Sequence, residues 1–411
     1  MRYGLLGEKL SHSHSPRLHA LLGDAEYALC PLPPEALPGF LTAREFDGLN
    51  VTIPYKRTVM PYCAELGETA LAVGSVNTLV KKPDGSLLGE NTDAYGFAKM
   101  AEAARVSFSG RKVLVLGSGG TSLTAFYVIR QAGGTPVVIS RGGETTYAQL
   151  DEHADAQVIV NATPVGMYPQ VEASPVDLRR FPALQGVLDA VYNPLRTRLL
   201  QQAESLGIAH GSGLAMLVWQ AVRARELFDG RPVPPDKALA AERELRMRVS
   251  NLVLVGMPGC GKTTLGRRCA SALGYAHVDT DAEIVRRAGK PIPQIFAEDG
   301  EPALRTLEAE VIAEFGMKSG QVISTGGGAV LREENRFHLR LNGVVVWITR
   351  PIALLQTGGR PLSQRPGALE TLEQTRKPLY RACADYTVAN ECSPAESVRA
   401  ILEGFHENLS H

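Results

Sequence analysis

A chain of 411 residues has room for two or three domains, and 44% hydrophobic with 21% charged residues excludes intrinsic disorder as its general state. Forty-three basic residues balance forty-three acidic ones, so no global field gathers nucleic acid or an anionic membrane, and any anion site must be local. Cys30, Cys63, Cys260, Cys269, Cys383 and Cys392 form no CxxC pair, no stretch approaches the roughly 18 apolar residues of a membrane span, and MRYGLLGEKLSHSHSP lacks a basic region followed by a long apolar run; the expectation is a soluble, cytoplasmic protein with reduced thiols.

Residues 1–100 are rich in Pro, Ser and His and precede the first glycine loop, so they are expected to form an α/β domain of their own, completed by about 213–245. Within them SHSHSP supplies Ser13 and Ser15, GLNVTIPYK supplies Asn50, Thr52 and Lys56, GSVNTL supplies Asn77, and LLGENTDAYGF supplies Asn91 and Asp93. Singly these are ordinary loops. Together they give hydroxyls and amides suited to a polyol, with Lys56 and Asp93 able to act as a proton-transfer pair. His12 and His14 could ligate a metal, but no third ligand cluster accompanies them, and a hydrogen-bonded loop is the plainer reading.

From residue 101 the rhythm becomes that of a buried parallel sheet: KVLVLG, TPVVISR, AQVIVNAT and GVLDAVY are short, β-branched, glycine-bounded runs separated by amphipathic segments. KVLVLGSGGTSLTAF reads as strand, loop, helix, with Gly117, Gly119 and Ser122 approximating GxGxx[G/A], and Ser118, Gly120 and Thr121 completing a turn fit for a dinucleotide pyrophosphate at a helix N-terminus. The next strand ends in Ser140 and Arg141, where an NAD enzyme often has an acid; a cation there favours the 2′-phosphate of NADPH, the alternative being an Arg on the surface. DGRPVPPDKALAAERELRMRVS then changes character, and residues 230–248 are expected to link this Rossmann-like domain of 101–212 and its partner to a third domain, 249–411.

There NLVLV precedes GMPGCGKT, a GxxxxGK[ST] loop in which Gly256, Gly259, Cys260, Gly261 and Thr264 surround the phosphate-binding Lys262 and Thr263, and a helical pattern follows. Backbone N–H groups converge on phosphate oxygens, Lys262 reaches the outer phosphates and the Thr263 hydroxyl suits Mg²⁺. Asp279 and Asp281 in HVDTDAEI sit two apart at a strand end and point the same way, able to hold Mg²⁺ through water and to bind a hydroxyl, although a solvated turn reads equally well from the pair alone. Arg305 and Glu308 in GEPALRTLEAE are one helical turn apart, either a surface ion pair or an Arg oriented for a carboxylate ligand.

With STGGGAV, TGGRPLS and RKPLYRACADYTV added, residues 251–411 resemble shikimate kinase, whose blocks occur in the same order: P-loop, DxD, GExxFRxxE, triple glycine, RPL lid and RxPLYxxxA. The resemblance implies a P-loop NMP-kinase-like fold and ATP with Mg²⁺. It makes Lys262 and Thr263 the phosphate and metal residues, Asp279 the metal support and Asp281 the residue orienting the acceptor hydroxyl and accepting its proton. Arg305 and Arg376 would pair with the shikimate carboxylate, Gly326, Gly327 and Gly328 would allow close approach, and Arg360 would close over the phosphates. Leu304 stands where the family usually has Phe, Gln356 where an Arg often covers adenine, and the lid is short.

The first half, with GxxxxHSxSP, NVTxPxK, GxVNTL, GxNTD, GxGG, NATPxGM, DxxYxPxxTxLL and GxGLxMLxxQA, resembles shikimate dehydrogenase. By that resemblance Ser13 and Ser15 bind the substrate carboxylate, Thr52, Asn77 and Gln220 its hydroxyls, and Tyr192 approaches it. Lys56 and Asp93 are the catalytic pair, and Asn161, Thr163, Gly213 and Met216 flank the nicotinamide, with core packing the alternative for Met216. Lys9 replaces a common Pro, Gly142 a frequent Thr, and Leu123 a position that is often basic. The reading is an α/β bifunctional enzyme that reduces 3-dehydroshikimate with NADPH and phosphorylates shikimate with ATP. Its partners are small molecules, without nucleic acid or membrane, and a homo-oligomer is left open. An NAD-dependent quinate/shikimate dehydrogenase fused to a kinase, and a non-catalytic ligand sensor, remain the alternatives.

Overall fold

The computed structural model describes residues 2–10, 13–23, 26–355 and 367–409. Backbone contacts divide the chain into two compact units, Met1–Leu245 and Arg246–His411. The stretch expected as a linker holds the helix Pro235–Val249, which buries Ala238, Ala241 and Leu245 at helical spacing.

Among the described residues the first unit contains two sheets. β1 (Arg2–Gly7), β2 (Glu26–Pro31), β3 (Gly48–Val51), β4 (Glu65–Leu66), β5 (Thr78–Lys81) and β6 (Leu87–Glu90) lie in the order β2-β1-β3-β5-β6-β4. This sheet is mixed: β5 runs antiparallel to both of its neighbours, β3 and β6, with Thr78 opposite Asn50 on one side and Glu90 on the other. The second sheet is wholly parallel, in the order β11-β10-β9-β7-β8, from β7 (Lys112–Leu116), β8 (Thr135–Ile139), β9 (Val158–Asn161), β10 (Gly186–Asp189) and β11 (Ala209–Ser212). Alternation places Val113 and Val115 in one core and Leu114 and Leu116 in the other, so both faces are covered, as the consecutive apolar run predicts. Each such Val or Leu contributes about 1.5–3 kcal/mol by leaving water. The strand order reverses at β7, the strand that delivers the glycine loop.

The second unit repeats the principle with β12 (Asn251–Val255), β13 (Ala276–Asp279), β14 (Gln321–Ser324), β15 (Gly343–Thr349) and β16 (Tyr386–Ala389), parallel throughout in the order β13-β14-β12-β15-β16. Its switch point is β12, which runs into the phosphate loop.

One buried group has a consequence for stability. His19, in the helix Ser15–Leu22, is wholly buried and stacks on Tyr27 with ring centroids 4.0 Å apart. Burial, reinforced by the Arg225 guanidinium, pushes its pKa down to about 3. Below pH ~6.5 the unfolded chain takes a proton that the folded one refuses, so this contribution is full above that pH and is lost as pH falls towards 3. Asp189 works in the opposite sense, because burial pushes its carboxyl up to about 6 and its ionisation above pH ~4 weakens the fold. The two offset one another in the intact protein, so a variant must isolate His19. Relative to its parent, His19→Leu is expected to gain about 2–3 kcal/mol between pH 7 and pH 4.5 in urea unfolding followed by Trp219 in a Trp347→Phe background. A pH-independent difference would rule out a neutral buried imidazole.

Candidate active sites

In the first unit, a cleft of about 420 Å³ is lined by seven segments of the chain. Ser13 and Ser15 come from the start of the first helix, Thr52 and Lys56 from the turn after β3, and Asn77 from the residue before β5. Asp93 opens the helix Asp93–Ala103, and Gly213, Met216 and Gln220 project from the helix Gly213–Asp229. Tyr192, just beyond β10, and Thr121, in the first turn of the helix Gly120–Gln131, complete it. Lys56 Nζ donates to Asp93 Oδ2 at 2.5 Å, both side chains being partly buried. The helix N-terminus favours the Asp93 carboxylate by its dipole, and that carboxylate in turn fixes the ammonium. Burial raises the Tyr192 phenol, which stays protonated at neutral pH, and its ring meets His14 edge-on at 6.0 Å.

The glycine loop lies where β7 meets its helix. Gly117 has φ +110° and passes so close to Ala162 and Thr163 that a Cβ would sit 3.0 Å from the Thr163 methyl. Nothing stands within 4 Å of a Cβ built on Gly119 or Gly120, so with Ser118 they leave open space above the helix N-terminus, a fit for a pyrophosphate. Ser140 is buried and its backbone N–H donates to Thr145, whereas Arg141 is exposed and bears electrostatically on the Tyr147 phenol. Met216 both lines the cleft and packs against the sheet core, so the two readings of it coexist.

The Asn161 carboxamide is wholly buried and turned inward. Nδ2 donates to the Val165 carbonyl and to Asp189 Oδ1, and Oδ1 accepts from the backbone and hydroxyl of Thr163. Neither Asn161 nor Thr163 lines the cleft; they form a brace that reaches through Asp189 to Val191 N and Thr197 Oγ1. Lys9, Leu5, Leu10, Ala190 and Leu217 line the cleft without having been named as site residues. Lys9 carried a signal in standing where Pro is common, whereas the apolar ones have none beyond adjacency to motif residues.

In the second unit Gly256, Gly259 and Gly261 all have positive φ, +147°, +81° and +103°, which turns the loop so that its amides face inward. Lys262 is buried and Nζ donates to the Gly256 and Met257 carbonyls at 2.8 and 2.9 Å, next to the buried Cys260. Thr263 Oγ1 donates to Asp279 Oδ2 at 2.7 Å, while Thr264 is exposed. The Asp279 Oδ1 caps the helix Thr280–Ala288 by accepting from the backbone of Asp281 and Ala282. A hydroxyl and a carboxylate in contact form an all-oxygen donor pair of the kind that would hold Mg²⁺.

The triple-glycine turn after β14 is the centre of the acceptor side. A Cβ on Gly326 would stand 2.5 Å from Asp281 Oδ1, one on Gly327 would stand 2.7 Å from Pro258, and one on Gly328 would collide with the Arg305 guanidinium. The Gly327 carbonyl accepts from Arg376 Nη1 at 2.9 Å and from the Tyr380 hydroxyl at 2.6 Å, residues four apart on one face of the helix Ala368–Cys383. Arg305 Nη1 donates to Glu308 at 2.8 Å, and Glu308 is only 2% exposed, so this is an oriented, buried pair and not a solvated one. Burial raises the Glu308 carboxyl against the opposing pull of Arg305, Arg376 and Arg332. Asp281, Arg305 and Arg376 therefore meet at one turn. Thr280, whose Oγ1 accepts from Gly326 N at 3.0 Å, and Tyr380 were not anticipated as supports. Arg360 and Gln356 lie outside the described residues. Among the described residues no helix is long and apolar enough to cross a membrane.

Comparison with known proteins agrees with both halves. A model of the shikimate dehydrogenase substrate binding domain matches residues 5–79, and the shikimate kinase model matches residues 258–405. A shikimate dehydrogenase (NADP(+)) of Clostridium perfringens is 34% identical over 268 residues, covering 60% of this chain and 98% of that protein. The crystal structure of a chorismate mutase/shikimate 5-dehydrogenase fusion protein from Clostridium acetobutylicum is similar at TM-score 0.56 and 34% identity, over 59% of this chain and 96% of that one. The shikimate 5-dehydrogenase of Thermus thermophilus, solved in complex with NADP(H) and shikimate, is similar at TM-score 0.54 and 33% identity, over 59% and 99%. The chain belongs to the shikimate dehydrogenase family over about its first 60% and carries a shikimate kinase domain after it, and is thus a bifunctional enzyme of the shikimate pathway.

Proposed function

We propose that the chain performs two consecutive reactions, reduction of 3-dehydroshikimate to shikimate by NADPH and transfer of the ATP γ-phosphoryl group to the shikimate 3-hydroxyl. Residues 1–100 with 213–245 hold the first substrate, 101–212 the dinucleotide and 249–411 the kinase. The observation that carries the reading is the Lys56–Asp93 contact of 2.5 Å in a cleft walled by hydroxyls and amides. Ser13 and Ser15 take the substrate carboxylate, Thr52, Asn77, Gln220 and Tyr192 its ring oxygens, and this holds one face of the ring towards Thr121 and Met216. A bound nicotinamide supplies the hydride. Lys56, held by Asp93, gives its proton to the oxygen that gains charge, and Asn161 brings Thr163 to the loop of Gly117. The exposed Arg141 beside Ser140 offers a cation for a 2′-phosphate, and the Clostridium perfringens relative is an NADP(+) enzyme.

On the kinase side, Arg305 and Arg376 bind the shikimate carboxylate, which turns the 3-hydroxyl towards Asp281. Asp281 accepts that proton as the hydroxyl oxygen bonds to phosphorus and ADP leaves. Lys262 and the loop amides neutralise phosphate charge, and Thr263 with Asp279 would hold Mg²⁺, whose charge does the same. Mass analysis of the products formed from 3-dehydroshikimate, NADPH and MgATP, with each cofactor omitted in turn, tests the whole reading. Shikimate 3-phosphate is expected only when both cofactors are present. Accumulated shikimate, or unconsumed 3-dehydroshikimate, would assign one half a different role.

A further inference from the structure

Behind the cleft wall lies a residue that touches neither the cleft nor the cofactor loop. Thr78 is wholly buried at the start of β5, one residue after Asn77 and directly opposite Asn50 across the antiparallel β3–β5 pair. Its hydroxyl accepts from Asn50 Nδ2 at 3.2 Å, donates to Asn77 Oδ1 at 3.1 Å and lies 3.2 Å from Thr92 Oγ1. The orientation of the Asn77 carboxamide follows from chemistry. The backbone N–H of Thr92 can only donate, so the atom 2.7 Å from it is Oδ1, and Nδ2 is the atom 3.0 Å from the Thr92 hydroxyl. On the other side, Asn50 Oδ1 accepts from the Tyr27 hydroxyl at 2.8 Å while Nδ2 faces Thr78.

Each amide oxygen is thus engaged inside the protein and each Nδ2 directs one N–H to Thr78 or Thr92; both residues line the cleft, and Asn50 also interacts with His19 behind it. With the Lys56 ammonium, which only donates, Asn50 and Asn77 present donors to the cleft, and the neighbouring carboxylate acceptor, Asp93, is already engaged by Lys56.

We propose that Thr78 is a positioning residue that relays to Asn50 the polarity Thr92 sets in Asn77, so that both amides offer N–H donors to substrates presenting acceptor oxygens, a ketone above all. The inference rests on the dehydrogenase reading given above. Removing the hydroxyl leaves Asn50 Nδ2 without its buried partner, so that the Asn50 carboxamide is free to turn, while Asn77 loses one contact to Oδ1 and keeps its bonds to Thr92. The backbone that carries the dinucleotide loop belongs to the other sheet and is not touched.

Steady-state reduction by the full chain tests this, with 3-dehydroshikimate and NADPH varied separately. Thr78→Val is expected to raise KM for 3-dehydroshikimate about tenfold and to leave KM for NADPH within roughly twofold, and Thr78→Ser, which restores the hydroxyl, to return within about threefold of wild type. The proposal is overturned if Thr78→Val leaves the 3-dehydroshikimate KM unchanged, if both KM values rise together as general loosening would make them, or if Thr78→Ser behaves like Thr78→Val. Failure of the underlying reading shows itself separately, as a wild-type chain that binds NADPH and does not reduce 3-dehydroshikimate.

Discussion

Lys56→Ala is expected to lower kcat for 3-dehydroshikimate reduction by about a thousandfold, within the range attributed to a positioned general acid, while ATP-dependent phosphorylation of shikimate by the same preparation is unchanged. The argument is geometric. Lys56 Nζ is held 2.5 Å from Asp93 Oδ2 at the opening of the helix Asp93–Ala103, and both line the cleft, so alanine removes the proton donor and leaves the carboxylate without its cation. Lys56→Arg keeps the charge but binds its proton too tightly to release it, so it should restore substrate KM towards wild type without restoring kcat. A loss below about tenfold in Lys56→Ala would place the proton elsewhere. A parallel loss of phosphorylation would show that the two chemistries do not use separate sites.

Lys262→Ala should do the reverse, cutting phosphorylation by about a hundredfold to a thousandfold and sparing reduction. Lys262 is buried at the start of the helix Lys262–Leu273, with its ammonium drawn back onto the Gly256 and Met257 carbonyls. Those bonds keep the amine satisfied in a buried position, and on the proposed reading they would exchange for phosphate oxygens when nucleotide enters the loop. Alanine removes the ammonium, whereas the three positive-φ glycines still shape the amide nest, so residual nucleotide binding should persist while turnover falls. The check is a shikimate- and ATP-dependent ADP release assay beside a nucleotide-binding titration. Full turnover in Lys262→Ala would sink the assignment of this loop.

What could be read from the sequence was the chemistry that sits in contiguous motifs. The phosphate loop and the glycine loop after β7 are each fixed by a strand, a turn and a helix start, and Lys56 and Asp93 stand in blocks whose residue types already suggest proton transfer. Less legible was anything decided by how strands pair. The role of Thr78 depends on its being opposite Asn50 in an antiparallel ladder, although β3 pairs in parallel with β1 on its other side, and no local pattern announces that register. Arg305 and Glu308 illustrate a second kind of gap: helical spacing shows that they meet, but only burial distinguishes an oriented clamp from a surface pair. Asn161 illustrates a third, because a motif names a position without saying which way its side chain turns, and here it turns to Asp189.

The triple-glycine turn of the kinase half carries a consequence for how this enzyme can evolve. Three successive positions abut three separate parts of the machinery: Gly326 faces the acceptor carboxylate Asp281, Gly327 faces Pro258 of the nucleotide loop, and Gly328 faces Arg305. A side chain at any of them would displace the group that its position faces, and because the three positions are consecutive, a shift of the backbone at one is passed to the other two. On the proposed reading, acceptor preference is expected to drift through side chains around the turn, such as Asp281 and Arg305, while the turn itself stays glycine and keeps the two sites in register.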